Sequence, residues 1–305
     1  MGQLFKLRAD FQSALVGCSA HPKKAGYKPA CRMECCPTDR YTWESMLRTF
    51  QATRYVTPFR EGGSLPALVE ADDLGLYVLK FRGAGQGPLA LVAEIIAGEI
   101  GRALGLNVPE IVLMEVDAAL GRNEPDEEIR DLLQASVGLN LALDFLPGSV
   151  MFDPAAGDVP SPDLASAAVW FDAFVTNVDR TARNPNILCW HKSLYFIDHG
   201  AAIYFHHDWK DPAASARSRF PAIRDHVLLP WADRIEAPDS ALRSKLGRPL
   251  LSEILDNVPD AWLLPEPGIT TPADKRAAYV DYLVERLSAA SLFVEEATRA
   301  RSAAV

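Results

Sequence analysis

The sequence has no uncharged apolar run approaching the roughly 20 residues that a membrane-spanning helix needs. Its longest uncharged stretches, such as Leu132–Leu143, carry Gln, Ser and Asn, so nothing is expected to span a bilayer. Positive charge is also short: 31 Lys and Arg against 40 Asp and Glu leave a net charge of −9. That balance argues against a nucleic-acid partner, because binding to a phosphate backbone depends on clustered Lys and Arg. Cysteine is scarce and odd in number, with five in 305 residues, which points to a reduced, cytoplasmic protein rather than a disulfide framework. The run Leu15-Val16-Gly17-Cys18 looks like a lipoprotein cleavage box. Asp10 interrupts the stretch and its apolar part is too short for an export signal, so no leader is expected.

Four of the cysteines, Cys18, Cys31, Cys35 and Cys36, crowd the first 36 residues. Cys31, Cys35 and Cys36 with His21 nearby lack the second Cys/His pair of a structural zinc module, so no zinc site is expected there. Lys23, Lys24, Lys28, Pro22, Pro29 and Pro37 surround them without helical or strand periodicity. Residues 1–50 therefore read as a poorly ordered appendage. The remainder, in a chain that is 49% apolar and 23% charged, can bury one large core or two modest ones.

Residues 51–146 are rich in strand signals. Tyr55–Phe59 leads into the turn Gly62-Gly63-Ser64, and Leu76–Phe81 reads as the next strand. A second glycine-rich loop, Gly83–Gly87, precedes a helix expected over Leu89–Leu104, where Leu91, Ile95, Ile96, Ile100 and Ala103 recur at helical spacing before the stop at Gly105. Glu110–Val116 and Leu139–Phe145 read as further strands, separated by an acidic, polar excursion through Asn123–Asp131. Leu146-Pro147-Gly148-Ser149 breaks the pattern, and residues 147–305 become mainly helical. One helix is expected over Asp163–Thr176. Another starts at Thr271-Pro272-Ala273-Asp274, a capping hydroxyl followed by proline and an acid.

The chemistry concentrates between these helices. Asp179-Arg180-Thr181-Ala182-Arg183-Asn184 is followed by a hairpin over Ile187–Trp190 and Leu194–Ile197, which ends in Asp198-His199-Gly200. An acid, an amide five residues later and a second acid at a strand end form the layout that positions phosphate and Mg²⁺. Phosphoryl transfer needs an aimed nucleophile and cations against the charge on the transferring oxygens. Asp179 can accept or orient a hydroxyl proton, while Asn184 and Asp198 offer the hard oxygens that Mg²⁺ takes. Read singly, Asp-Arg beside a turn is a surface ion pair, Asn184-Pro185-Asn186 is a turn, and Lys80 is a snorkelling strand lysine. It is their order that points to chemistry. Two further features are set aside: His206-His207-Asp208 as a surface loop rather than a metal site, and Cys189 as a small residue buried on a strand.

The runs Glu61–Pro66, Lys80–Gly87, Asn177–Asn186 and Ile197–Ala202 together resemble HipA-like kinases, within the wider group that includes phosphatidylinositol-kinase-like proteins. The resemblance runs from about Arg54 to Ala300. It implies an α+β, two-lobed protein-kinase-like fold, with a small β-rich lobe over 51–146 and a larger, mainly helical lobe over 147–305. It implies ATP and Mg²⁺ as cofactors, nucleotide contacts from Gly62, Gly63, Ser64 and Lys80, metal ligation by Asn184 and Asp198, and Asp179 as the catalytic acid–base group. Lys80 would be oriented by Glu94 on the following helix. Glu99 is the alternative, turned roughly 140° away at about 100° per residue.

The acceptor implied is a Ser/Thr hydroxyl of a protein. A lipid-like or small-molecule kinase, or a non-catalytic nucleotide-binding regulator, remains the alternative. HipA-like proteins often pair with a DNA-binding antitoxin, and nothing in this chain encodes one. The sequence departs from the family pattern at Thr181, where His is common, at Arg183 in place of Lys, at His199 where protein kinases have Phe, and in its short Gly62-Gly63-Ser64 loop.

Overall fold

The computed structural model describes residues 47–59, 65–85, 87–122 and 124–304. The cysteines before residue 47, His21 and the loop Gly62-Gly63-Ser64 lie outside them, as does Asn123. Residues Glu44–Val305 cluster as one compact unit.

Five strands close into a barrel in the order β1-β2-β3-β5-β4: β1 (Thr49–Pro58), β2 (Ala67–Ala71), β3 (Leu76–Lys80), β4 (Ile111–Val116) and β5 (Gly138–Asp144). All pairings are antiparallel except the seam, where Thr49–Gln51 of β1 runs parallel to Leu113–Glu115 of β4. β1 thus starts two residues ahead of the boundary expected at 51, and Arg48 is already tied to Glu110 by bonds of 2.9 and 2.6 Å. The two-residue period of a strand sorts the side chains. Tyr77, Leu79, Val112, Met114, Val116 and Ala142 fill the barrel, while Ile111, Leu141 and Leu143 join the larger core outside it. Lys80, next to Leu79, falls on the outer face.

Helix α1 (Pro88–Leu104) lies against that outer face and stops at Gly105, whose φ of 96° is a left-handed cap. A Cβ on Gly98 would come within 2.4 Å of Ile111 Cδ1, so glycine there lets α1 seat closely on β4. The acidic excursion is not all loop. Helix α2 (Glu127–Ala135) begins inside it, capped by Asp126, which accepts from the Glu128 N–H at 3.1 Å, and it sends Ile129 and Leu133 into the barrel core.

The rest is mainly helical: α3 (Pro162–Val175), α4 (Pro212–Ala216), α5 (Asp239–Lys245), α6 (Arg248–Asp256), α7 (Pro272–Ser288) and α8 (Ala290–Ala304). A short sheet of β6 (Val150–Met151), β7 (Ile187–Trp190) and β8 (Ser193–Phe196) accompanies them. Thr271 caps α7 by accepting from the Asp274 N–H at 3.1 Å. From that cap the chain runs as two helices rather than one, divided at Ala289.

Arg286 of α7 is wholly buried. Its guanidinium donates to the carbonyls of Phe174 (2.6 Å) and Ala173 at the end of α3, and to Ala216 and Ser218 at 3.0 Å each. This satisfies carbonyls that a helix end leaves without partners and fixes the point where α3 gives way to the loop carrying Asp179.

Two polar features differ from the sequence reading. His206 is not on a surface loop. It is buried in a 3₁₀ turn, Tyr204–His207, with Nδ1 3.1 Å from the Tyr279 hydroxyl, and burial pushes its pKa down to about 3. Cys189 is half-buried, 3.4 Å from Asp158, and burial followed by that carboxylate pushes its thiol up to about 11, so it holds no reactive thiolate at neutral pH.

Candidate active site

Lys80 leaves the end of β3 on the outer face and meets two carboxylates. Its Nζ lies 2.6 Å from Glu94 Oε2 and 2.7 Å from Asp198 Oδ1. Glu94 is fully buried on α1. It also accepts the backbone N–H of His199 at 2.8 Å, and His199 Nδ1 lies 3.4 Å from its other oxygen. Burial alone would favour the neutral carboxyl. The Lys80 ammonium and the His199 contacts outweigh it and hold Glu94 well below the usual carboxylate range. Lys80 responds the other way: burial opposes its charge, but Asp198 and Glu94 together raise its pKa. Glu99 turns elsewhere on the same helix and pairs with Arg102 at 3.7 Å.

Asp198 follows β8 with φ 54°, a left-handed conformation uncommon outside glycine. Lys80 engages its Oδ1. The side chain is 45% exposed, which leaves Oδ2 open to a further ligand.

Asp179 lies half-buried on the loop after α3. Its Oδ2 accepts from Asn184 Nδ2 at 2.7 Å and from Asn186 Nδ2 at 3.3 Å. Burial raises its pKa and the Asp198 charge adds to the rise, against the two amide bonds. A carboxylate so poised holds a proton more readily than a solvated aspartate, which suits acid–base work.

Arg180 does not form the surface pair that Asp-Arg beside a turn suggested. It is 1% exposed, with Nε 2.6 Å from Asp172 Oδ2, Nη1 donating to the carbonyls of Asn186 and Ile197, and its guanidinium 5.2 Å from the Phe196 ring centroid. Asp172 is buried among three donors, Arg180, Asn177 and His226. Burial opposes its charge, and the arginine and histidine overcome this to hold the carboxyl well below the usual range.

The residues present fit a Mg²⁺ ion. The ionised Asp179 carboxylate can only accept, so the Asn184 amide nitrogen is committed to it and the amide oxygen is left as a hard donor; Asp198 Oδ2 is the second. No group of three or more His, Cys, Asp or Glu is placed to hold a metal among the described residues. Mg²⁺ in phosphoryl transfer takes one or two protein oxygens and completes its shell with phosphates and water.

The family model described as HipA-like kinase matches residues 53–295. The chain belongs to the HipA-like kinase family. Comparison with curated proteins found no match. Among solved structures, it is similar to a Helicobacter pylori proinflammatory kinase, CtkA, at 14% sequence identity over 82% of this chain and 95% of that one, with a TM-score of 0.46. Membership supports a kinase-type phosphotransferase.

Within this HipA-like chain, Lys80, Glu94 and Asp198 come together in one cluster, and Asp179 and Asn184 in an adjacent one. Gly62, Gly63 and Ser64 lie outside the described residues. Sequence reasoning passed over Asp172 and His226, and gave Arg180 and Asn186 no part beyond a surface pair and a turn. Asp172 sits in the apolar run Ala167–Phe174, and a lone acid within such a run is the signal that could have exposed it, since burying it there requires partners.

Proposed function

We propose that this protein is an ATP- and Mg²⁺-dependent phosphotransferase that phosphorylates a hydroxyl, a Ser or Thr of a protein. The carrying observation is the shared cation: one ammonium, Lys80, bridges a buried acid on α1 and a partly exposed acid at the end of β8. Lys80 would hold nucleotide phosphates, with Glu94 fixing its position. Asn184 and Asp198 would hold Mg²⁺, which when bound neutralises charge on the transferring phosphoryl group. Asp179 would receive or orient the hydroxyl proton of the acceptor.

This reading casts residues 51–146, begun by β1, as the small lobe and 147–305 as the large lobe, with Gly62, Gly63 and Ser64 contributing to the nucleotide site. It also places the protein in the cytoplasm. No described helix is long and apolar enough to cross a membrane, and the net charge of −9 suits a protein acceptor better than an anionic lipid surface.

The test is phosphate transfer from labelled ATP. Asp179→Asn should leave ATP affinity within a few fold while lowering transfer at least about 10²-fold, the usual contribution of a positioned acid–base group. Wild-type rates in Asp179→Asn would eliminate Asp179 from that role. Nucleotide binding without any transfer by the wild type would mark a non-catalytic regulator.

A further inference from the structure

A buried polar network stands behind Asp179. Asp172, on α3, is wholly enclosed. Its Oδ2 accepts from Arg180 Nε at 2.6 Å and lies 2.8 Å from His226 Nε2, while Oδ1 accepts from Asn177 Nδ2 at 3.0 Å. The tautomer of His226 follows from its other side. Its Nδ1 accepts the Leu228 N–H at 3.0 Å, so the neutral ring carries its proton on Nε2, aimed at Asp172.

The same stretch also reaches the loop through the backbone: Val227 N–H donates to the Arg180 carbonyl at 3.0 Å, as part of an antiparallel bridge between Thr181 and His226. On the far side, Asn177 Oδ1 accepts the backbone N–H of Asp179 at 3.1 Å. A continuous line of hydrogen bonds therefore runs from His226 through Asp172 and Asn177 to the backbone of Asp179.

We propose that His226, acting through Asp172, is a positioning residue that fixes the loop presenting Asp179, and so makes transfer depend on the stretch that follows Asp198. The role as stated rests on Asp179 being the acid–base group. Residues 177–186 have no helix or strand to hold them; bonds within the loop, such as Thr181 with Asn184 and Asn184 with Asp179, shape it internally, and the bonds through Asp172 and His226 tie it to α3 and to residues 226–228. Asp172 supplies the counter-charge that lets Arg180 lie inside, and His226 supplies a directional donor that completes the carboxylate's set. None of these groups reaches the reacting atoms. Their effect is on where Asp179 sits, which should appear in turnover more than in nucleotide affinity.

The full chain is compared with His226→Phe, which keeps a ring of similar size but no nitrogen, and with His226→Gln, which keeps an N–H donor toward Asp172. Amide hydrogen exchange over residues 177–186 is read alongside kcat and the KM for ATP. In His226→Phe, exchange in this loop should rise by at least about tenfold, the low end of what one hydrogen bond to a charged group is worth, while β1–β5 exchange as in wild type. The kcat should fall by a similar factor with the KM for ATP within about twofold, and His226→Gln should recover most of both. Wild-type exchange of the loop in His226→Phe, or equal impairment of the two variants, overturns the proposal. Should the wild type bind nucleotide without transferring phosphate, the proposed function falls, and the exchange measurement still decides whether His226 holds the loop.

Discussion

Glu94→Gln removes the charge of a fully buried carboxylate while keeping its shape. Breaking a buried ion pair by deleting one partner costs about 3–5 kcal/mol. Lys80 would keep Asp198 at 2.7 Å, so the low end applies, about 3 kcal/mol, or roughly 6 °C in melting temperature at about 2 °C per kcal/mol, the large-domain end of the scale. Lys80→Met leaves Glu94 buried with only the His199 contacts, which calls for the upper part of that range, about 4 kcal/mol. Both substitutions remove the same pair. The double variant should therefore lose about 3–4 kcal/mol rather than the sum of about 7, a coupling of about 3 kcal/mol. Urea denaturation followed through the buried Trp170 and Trp262 measures each corner of the cycle. Additive losses, agreeing within about 0.5 kcal/mol, would refute the claim that the 2.6 Å contact between Lys80 and Glu94 organises this site.

ATP with Mg²⁺ should raise the melting temperature, by the equivalent of about 2.7 kcal/mol at a hundredfold excess over Kd; Asp198→Ala should abolish the metal-dependent part, and an unchanged shift would remove Asp198 from the metal site. A chain starting at residue 51 loses most of the parallel pairing between Thr49–Gln51 and Leu113–Glu115, so it should melt lower than one starting at residue 47, and calorimetry showing equal values would mean the seam is dispensable. Glu94 and Asp172 both have lowered pKa values, so the unfolded chain takes up their protons first: the stability they contribute is complete above the ordinary carboxylate range and declines as pH falls below it. An acid titration by circular dichroism should accordingly show Asp172→Asn losing stability relative to wild type at pH 7, with the gap narrowing toward pH 3; a gap that stays constant would contradict the direction of the shift.

Local rules made much of the frame legible. Alternation along Leu76–Lys80 sets Lys80 opposite Leu79, helical spacing separates Glu94 from Glu99, and the Thr271 cap announces α7. Where the sequence reading failed, the deciding contacts are distant along the chain. Helix α2 was hidden because its acids dominate the composition, and its two apolar anchors, Ile129 and Leu133, show their purpose only against the barrel. Arg180 reads as exposed until the turn at Thr176 carries it back toward Asp172 on α3. His206 finds Tyr279 on a helix 73 residues later. The closing strand pair of the barrel is parallel, and no hairpin turn signals it.

The Lys80 bridge also has a biosynthetic consequence. Lys80 and Glu94 lie 14 residues apart, but Asp198 follows Lys80 by 118. At about 5–20 residues per second of synthesis, the completed Lys80–Glu94 pair leaves the ribosome about 5–21 s before its third member. Throughout that interval the growing chain carries the cation and its buried anchor without the acid proposed to hold the metal. On the proposed roles, a nascent chain that still lacks Asp198 would have no metal-holding acid in this cluster, and Lys80 would have Glu94 as its sole partner there.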